Sequence, residues 1–147
     1  MYDRILVAID GGSTAARGLA EAIALAKVTG ARIRLLHVID KSSLMRVKSG
    51  VDSATLDDEL KSEAEEILAQ AERRVELAGL EADTVLGNSL GGCCLRELVA
   101  AQVTGWDADL IVLGTHGRRG IRRAVLGSDA EEIVRTSTVP VLLVRAP

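Results

Sequence analysis

The sequence predicts an α/β fold in which one five-stranded parallel sheet, in the strand order 3-2-1-4-5, carries helices on both faces. Short aliphatic runs alternate with longer segments whose apolar residues recur every three or four positions, the pattern of alternating strands and helices. The aliphatic runs are nearly continuous, as is typical of strands buried on both faces of a parallel sheet. Right-handed crossovers then favour the stated order. A length of 147 residues suits a single domain covering residues 1–147.

The strands are predicted from runs of Val, Ile, Leu and Ala. The first run, residues 4–9, reads Arg-Ile-Leu-Val-Ala-Ile and ends in a turn at Asp10-Gly11-Gly12. In chain order, the predicted strands cover residues 4–9, 32–39, 82–86, 109–113 and 139–144. The last run contains Pro140, and proline in a strand indicates a sheet edge or a strand start.

The helices are predicted from apolar residues at helical spacing and from residues typical of helix ends. The first predicted helix follows the turn at residues 10–13 and ends at Gly30, and the others cover residues 55–78, 93–103 and 128–137. Ser13 or Thr14 is expected to cap the first helix, and Gly30 and Gly79 to end the first and second. The capping-box pattern Ser128-Asp129-Ala130-Glu131 predicts that the fourth helix starts at Ser128.

Composition excludes several classes of function. The formal net charge is −3, which disfavours a general nucleic-acid-binding protein because phosphate contacts along a polymer need a broad basic surface. No apolar run approaches the roughly 20 residues that span a bilayer, and the N-terminus lacks the features of a signal peptide. The sequence therefore predicts a cytoplasmic protein without a membrane segment.

A glycine-rich basic segment, residues 114–128, separates the fourth strand from the fourth helix. A strand, a glycine-rich loop and a helix start together form the usual geometry for holding phosphates, because free backbone N–H groups lie beside positive charge. Glycine allows the backbone to approach a ligand closely. The guanidinium groups suited to phosphate are those of Arg118, Arg119, Arg122 and Arg123.

Chain topology predicts where a ligand binds. In the order 3-2-1-4-5 the chain reverses direction between the first and fourth strands, and ligands bind at the carboxyl ends of strands at such a point. Those ends are Asp10 and Gly114. The segment matches neither a Walker A motif nor a Rossmann fingerprint. A carboxylate at Asp10 would repel pyrophosphate, so we expect it to hold Mg²⁺ or a ribose hydroxyl.

The spacing Gly114-x2-Gly117-x9-Gly127-Ser128 resembles the nucleotide-binding signature of the universal stress protein family. The similarity extends along the whole chain and includes the opening Ile-Leu-Val-Ala-Ile-Asp-Gly, the run Ala-Asp-Leu-Ile-Val-Leu-Gly-Thr-His-Gly and the closing Val-Pro-Val-Leu-Leu-Val-Arg. The resemblance implies a fold of the adenine nucleotide α-hydrolase-like type. It also implies a stress-response regulator that binds ATP and forms a homodimer through residues 139–145.

The resemblance implies a role for each matching position. Ala8, Val38 and Leu113 would flank the adenine, and Asp10 would lie near the ribose or a Mg²⁺ ion. The ribose and phosphates would contact Gly114, Gly117, Gly127 and Ser128. His116 and Arg118 lie in the same segment and are candidate phosphate contacts.

Two positions depart from the family pattern, and two other functions remain open. Gly12 stands where relatives often have serine, and Asp129 stands where they usually have a small apolar residue. The charge of Asp129 lies beside the predicted phosphate site and opposes phosphate binding, whereas the four arginines favour it. The alternatives are a slow Mg²⁺-dependent ATPase and a dimeric interaction protein with a vestigial pocket. Because no residue is evident that would position an attacking water, a non-catalytic regulator is favoured.

Overall fold

In the computed structural model, which describes residues 1–39, 53–88, 94–115 and 126–145, five strands form one sheet in the order β3-β2-β1-β4-β5. All four neighbouring pairs are parallel. The strands are β1 (Arg4–Ala8), β2 (Arg32–Ile39), β3 (Ala82–Asn88), β4 (Leu110–Gly114) and β5 (Val141–Val144). The helices are α1 (Ser13–Thr29), α2 (Ser53–Leu77), α3 (Leu95–Gly105) and α4 (Ser128–Thr136). The predicted fold class and strand order are confirmed.

The sheet separates two apolar layers, because successive side chains of a strand point to opposite faces. On one face, Ile5 and Val7 of β1 pack with residues of α1 and α2 such as Leu19 and Val75. On the other face, Leu6 packs in a second cluster with residues of α3 and α4. The largest side chains of this core are aliphatic and almost fully buried, and their burial contributes roughly 1.5–3 kcal/mol each to folding.

Two helix ends match the sequence prediction. Gly30 follows α1 with a φ of 76° and donates its N–H to the Ala26 carbonyl. Gly79 lies just after α2 with a φ of 80°. Both glycines adopt the left-handed conformation that residues with a Cβ rarely tolerate, so each ends its helix as expected.

The helix starts differ from the prediction in which residue caps them. Gly12, rather than Ser13 or Thr14, is the N-cap of α1, and it makes no side-chain capping bond. Helix α4 begins at Ser128 as predicted, but its N-cap is Gly127, so the Ser128 hydroxyl does not act as the cap. The capping-box interpretation was therefore wrong by one position, since Ser128 already has helical geometry.

Among the described residues, no helix is both long and apolar enough to cross a membrane.

Candidate functional site

The first turn and the start of the glycine-rich segment meet at the carboxyl edge of the sheet. Strands β1 and β4 are neighbours, with Val7 paired to Val112. At the end of β4, the start of α1 lies against Gly114, the last residue of this strand. A Cβ placed on Gly114 would lie 2.7 Å from Thr14 Oγ1 and 2.9 Å from the Ala15 nitrogen. The predicted juxtaposition of these two segments is confirmed.

Asp10 holds the turn between β1 and α1. Its Oδ1 accepts a hydrogen bond of 2.7 Å from the Gly12 N–H. Gly11, between them, has a φ of 81°, and the Gly12 carbonyl accepts the first helical bond from Ala16 at 3.0 Å. One oxygen of the carboxylate is therefore committed to the geometry of this turn.

The three residues predicted to flank an adenine share one apolar cluster. Leu113 is buried within it, and Ala8 and Val38 are partly buried against it. Gly87 of β3 shapes this cluster, because a Cβ there would lie 2.6 Å from Leu98 Cδ1 and 3.4 Å from Val38 Cγ2. The absence of a side chain at Gly87 thus allows α3 to pack close to Val38.

The two ends of the segment that follows β4 are joined by a hydrogen bond. The Gly127 N–H donates to the Thr115 carbonyl at 3.1 Å, and the Thr115 N–H donates to the Val144 carbonyl at 3.0 Å. This pairing brings the start of α4 to the end of β4. It also means that the Gly127 N–H is already used, so the N–H groups left for a ligand at this helix start belong to the first helical turn, from Ser128 onward.

Close packing requires glycine at position 114 but not at position 127. At Gly114 an added Cβ would clash with α1, so packing requires glycine there. Among the described residues, an added Cβ at Gly127 would meet the Thr115 carbonyl oxygen alone, at 3.8 Å, and the φ of −58° is one that any residue adopts. Neither packing within the described residues nor backbone conformation explains the glycine at position 127.

Several predicted site residues lie outside the described part of the chain. His116, Gly117 and Arg118 belong to this group, as do the other three arginines of the segment. Asp129 is described and is exposed in the first turn of α4. Among the described residues, no group of three or more His, Cys, Asp or Glu side chains is arranged to hold a metal ion.

Helix α4 is tied to α3 by an ion pair. Arg96 Nε lies 3.5 Å from Glu132 Oε1. The pKa of the Arg96 guanidinium is raised, first by a hydrogen bond with the Cys94 side chain and next by the charge of Glu132. This contact lies on the surface, so it orients α4 more than it stabilises the fold.

A cavity of about 220 Å³ lies at the other edge of the sheet, where β2 and β3 begin. Its lining includes Arg32, Glu76, Glu81 and Asp83. Three carboxylates facing one guanidinium disfavour a polyphosphate. This cavity is therefore a poorer candidate for an anionic ligand than the carboxyl edge.

His37 also lies at this edge of the sheet, although no motif in the sequence marks it as a site residue. Its Nδ1 lies 2.5 Å from the Ile9 carbonyl oxygen, immediately before Asp10. The signal available in the sequence was positional, because His37 directly precedes Val38, which was predicted to contact adenine.

Comparison with known proteins gives consistent matches along the chain. The family model described as the universal stress protein family matches residues 1–145. The universal stress protein YxiE of Bacillus subtilis is 34% identical over 153 residues, which cover 99% of this chain and 100% of YxiE.

Solved structures agree with this match. The structure of hypothetical protein MJ0577 has a TM-score of 0.83 and 25% identity and covers 100% of this chain and 98% of its own. The universal stress protein from Archaeoglobus fulgidus in complex with dAMP has a TM-score of 0.71 and 25% identity, with 97% and 98% coverage.

Proposed function

Because the chain belongs to the universal stress protein family, we propose that it is a cytoplasmic stress-response regulator that binds an adenine nucleotide, ATP foremost. The observation that carries the proposal is the contact between the start of α1 and Gly114, which brings three features to one edge of the sheet. These features are an acidic turn, an apolar cluster and a helix start. A solved relative binds dAMP, which supports adenine as the base.

The adenosine part of the ligand is assigned to the apolar cluster and the acidic turn. Ala8, Val38 and Leu113 offer aliphatic contacts to the base, since the chain has only Tyr2 and Trp106 as aromatic residues. Asp10 Oδ1 is held by Gly12, so Oδ2 is the oxygen that would accept a ribose hydroxyl or contact Mg²⁺.

The phosphates are assigned to the start of α4 and the glycine-rich segment. The Ser128 hydroxyl is not the helix cap and can donate to a phosphate oxygen. Packing among the described residues does not require glycine at position 127, where an added Cβ would lie 3.8 Å from the Thr115 carbonyl oxygen. Close approach of a phosphate to the backbone would supply a reason for glycine there. Gly117, His116 and the arginines beginning at Arg118 would complete the contacts.

Calorimetric titration tests the proposal directly. We expect the purified protein to bind ATP in the presence of Mg²⁺, and denaturation of freshly purified protein to release an adenine nucleotide identifiable by mass spectrometry. Absence of both signals at millimolar nucleotide would favour an interaction protein with a vestigial pocket. Phosphate release above buffer level that vanishes in Asp10→Ala would favour a slow ATPase.

A pair of Asp10 variants separates the role of the carboxylate in the turn from its role toward ligand. Asp10→Asn keeps an oxygen for the Gly12 N–H but removes the charge, whereas Asp10→Ala removes both. We expect the unfolding free energy to fall by about 1 kcal/mol in Asp10→Ala alone. We expect the ATP dissociation constant with Mg²⁺ to rise about tenfold in both variants. Wild-type affinity in Asp10→Asn would mean that Asp10 serves only the turn.

The proposed homodimer uses the β5 edge. β5 is the last strand of the sheet, and Val141, Leu142 and Leu143 are only partly buried. An apolar edge strand of this kind pairs readily with a copy of itself. We expect sedimentation equilibrium at tens of micromolar to give about twice the chain mass of 15.5 kDa. A mass of a single chain at that concentration would contradict the proposal.

A further inference from the structure

We propose that His37 is a positioning residue for the nucleotide site, through the bond between its imidazole and the Ile9 carbonyl. The Nδ1 of His37 lies 2.5 Å from this oxygen, and the contact is partly buried. A carbonyl only accepts hydrogen bonds, so Nδ1 carries the proton and donates. This inference rests on the proposed nucleotide-binding function and adds to it a residue that does not itself contact the nucleotide.

The bond replaces a missing contact of the sheet. β1 and β2 pair in register up to Ala8 and Leu36, and the Ile9 N–H still donates to the Leu36 carbonyl at 2.8 Å. In a regular parallel ladder the Ile9 carbonyl would accept the next backbone N–H of β2, that of Val38. The His37 side chain donates to it instead, at the point where β1 leaves the sheet.

The bond between His37 and Ile9 lies next to two residues that are proposed to contact the nucleotide. Ile9 directly precedes Asp10, and His37 directly precedes Val38, so the bond joins two segments that each carry a proposed nucleotide contact. The carbonyl orientation of Ile9 sets the direction in which the chain enters the Asp10–Gly12 turn. Fixing that direction fixes the distance between the carboxylate of Asp10 and the apolar contact at Val38.

Three substitutions distinguish positioning from a general structural role. His37→Asn places an amide N–H near the position of Nδ1, His37→Gln places it farther out, and His37→Leu removes the donor. We expect the ATP dissociation constant to rise about tenfold in His37→Leu, the factor that corresponds to loss of one hydrogen bond of about 1.4 kcal/mol. We expect His37→Asn to stay within about threefold of wild type, with His37→Gln between the two.

A matched control removes a similar bond at the opposite edge. Thr29 Oγ1 donates to the Leu25 carbonyl at 3.0 Å and accepts from the Ala31 N–H at 3.2 Å. Thr29→Val should lower the unfolding free energy, measured in urea, without changing ATP affinity. If His37→Leu behaves like Thr29→Val, or if His37→Asn loses affinity as fully as His37→Leu, the positioning role is wrong.

The remaining outcomes are also decisive. If His37→Leu does not fold, equal affinities of His37→Asn and His37→Gln overturn the inference, because donor position would then be irrelevant. If the wild-type protein binds no adenine nucleotide, the proposed function itself fails and this inference falls with it. Wild-type binding together with unchanged affinity in all His37 variants leaves the proposed function intact and removes only the role of His37.

Discussion

Gly114→Ala is expected to lower the unfolding free energy by about 3 kcal/mol, the upper part of the range for an overpacked site. The added Cβ would lie 2.7 Å from Thr14 Oγ1, 2.9 Å from the Thr14 carbonyl carbon and 2.9 Å from the Ala15 nitrogen. Rotation of the Thr14 side chain relieves the first contact only. The other two are with the helix backbone, so α1 itself must move away from β4.

Nucleotide binding should fail together with stability in this variant. A shift of α1 away from β4 would also displace Asp10 relative to the start of the glycine-rich segment, because Asp10 is bonded to Gly12 at the N-terminus of α1. We expect ATP affinity of the folded fraction to fall as well, measured by titration well below the unfolding midpoint.

Gly105→Ala is the matched control. Gly105 ends α3, and a Cβ there meets no atom of the described residues within 4 Å. Its φ lies in the range open to any residue, so alanine should be neutral or stabilise by up to about 1 kcal/mol. Equal urea midpoints for Gly114→Ala and Gly105→Ala would show that α1 does not press on β4 as described.

The fold could be predicted from sequence because its determinants are local and periodic. The aliphatic run at residues 4–9 predicts a buried strand, and the apolar stripe of α2 predicts a helix with one buried face. Because crossovers are right-handed, few strand orders are then possible. The ends of the strands are predicted less precisely, since the aliphatic run continues beyond the last residue that pairs in the sheet. Ile9 illustrates this, because it belongs to the apolar core but follows the end of β1 at Ala8.

The site could be predicted only where topology or the family resemblance fixed it. The approach of the start of α1 to Gly114 follows from strand order. The N-cap residues of α1 and α4 could not be predicted in this way, because Gly12 and Gly127 occupy those positions without side-chain bonds. A Ser-x-x-Glu pattern does not say which residue is the first with helical geometry. The bond from His37 to Ile9 depends on where β1 leaves β2, and no single-sequence pattern encodes that point.

Replacing Arg118, Arg119, Arg122 and Arg123 by alanine is expected to raise the ATP dissociation constant about 100-fold. A screened contact between guanidinium and phosphate contributes up to about 1 kcal/mol, so four contacts contribute at most about 4 kcal/mol. A total of about 3 kcal/mol, somewhat below that ceiling, corresponds to roughly 100-fold. Adenosine lacks phosphates, and its affinity should change by less than about twofold. Titrations of ATP and adenosine against the same variant measure both effects.

A second quadruple variant separates local charge from net charge. Lys27, Lys61, Arg73 and Arg135 are exposed and lie outside the proposed site. Replacing these four by alanine shifts the formal net charge from −3 to −7, as the first variant does. If both variants lose ATP affinity equally, the effect belongs to the overall field and the glycine-rich segment has no special role.

The salt dependence of ATP affinity also distinguishes direct contacts with the glycine-rich segment from an effect of the overall field, because the two respond differently to ionic strength. Contacts between the arginines and the phosphates weaken as salt shortens the screening length, which is about 10 Å at 0.1 M. ATP affinity of the wild-type protein and of the control variant should therefore fall as salt rises. The variant that lacks the four arginines should show a flatter dependence, since most of the positive charge that would hold the phosphates has been removed and hydrogen-bond donors such as the Ser128 hydroxyl remain. A dependence as steep as that of the wild type would place the phosphates away from this segment.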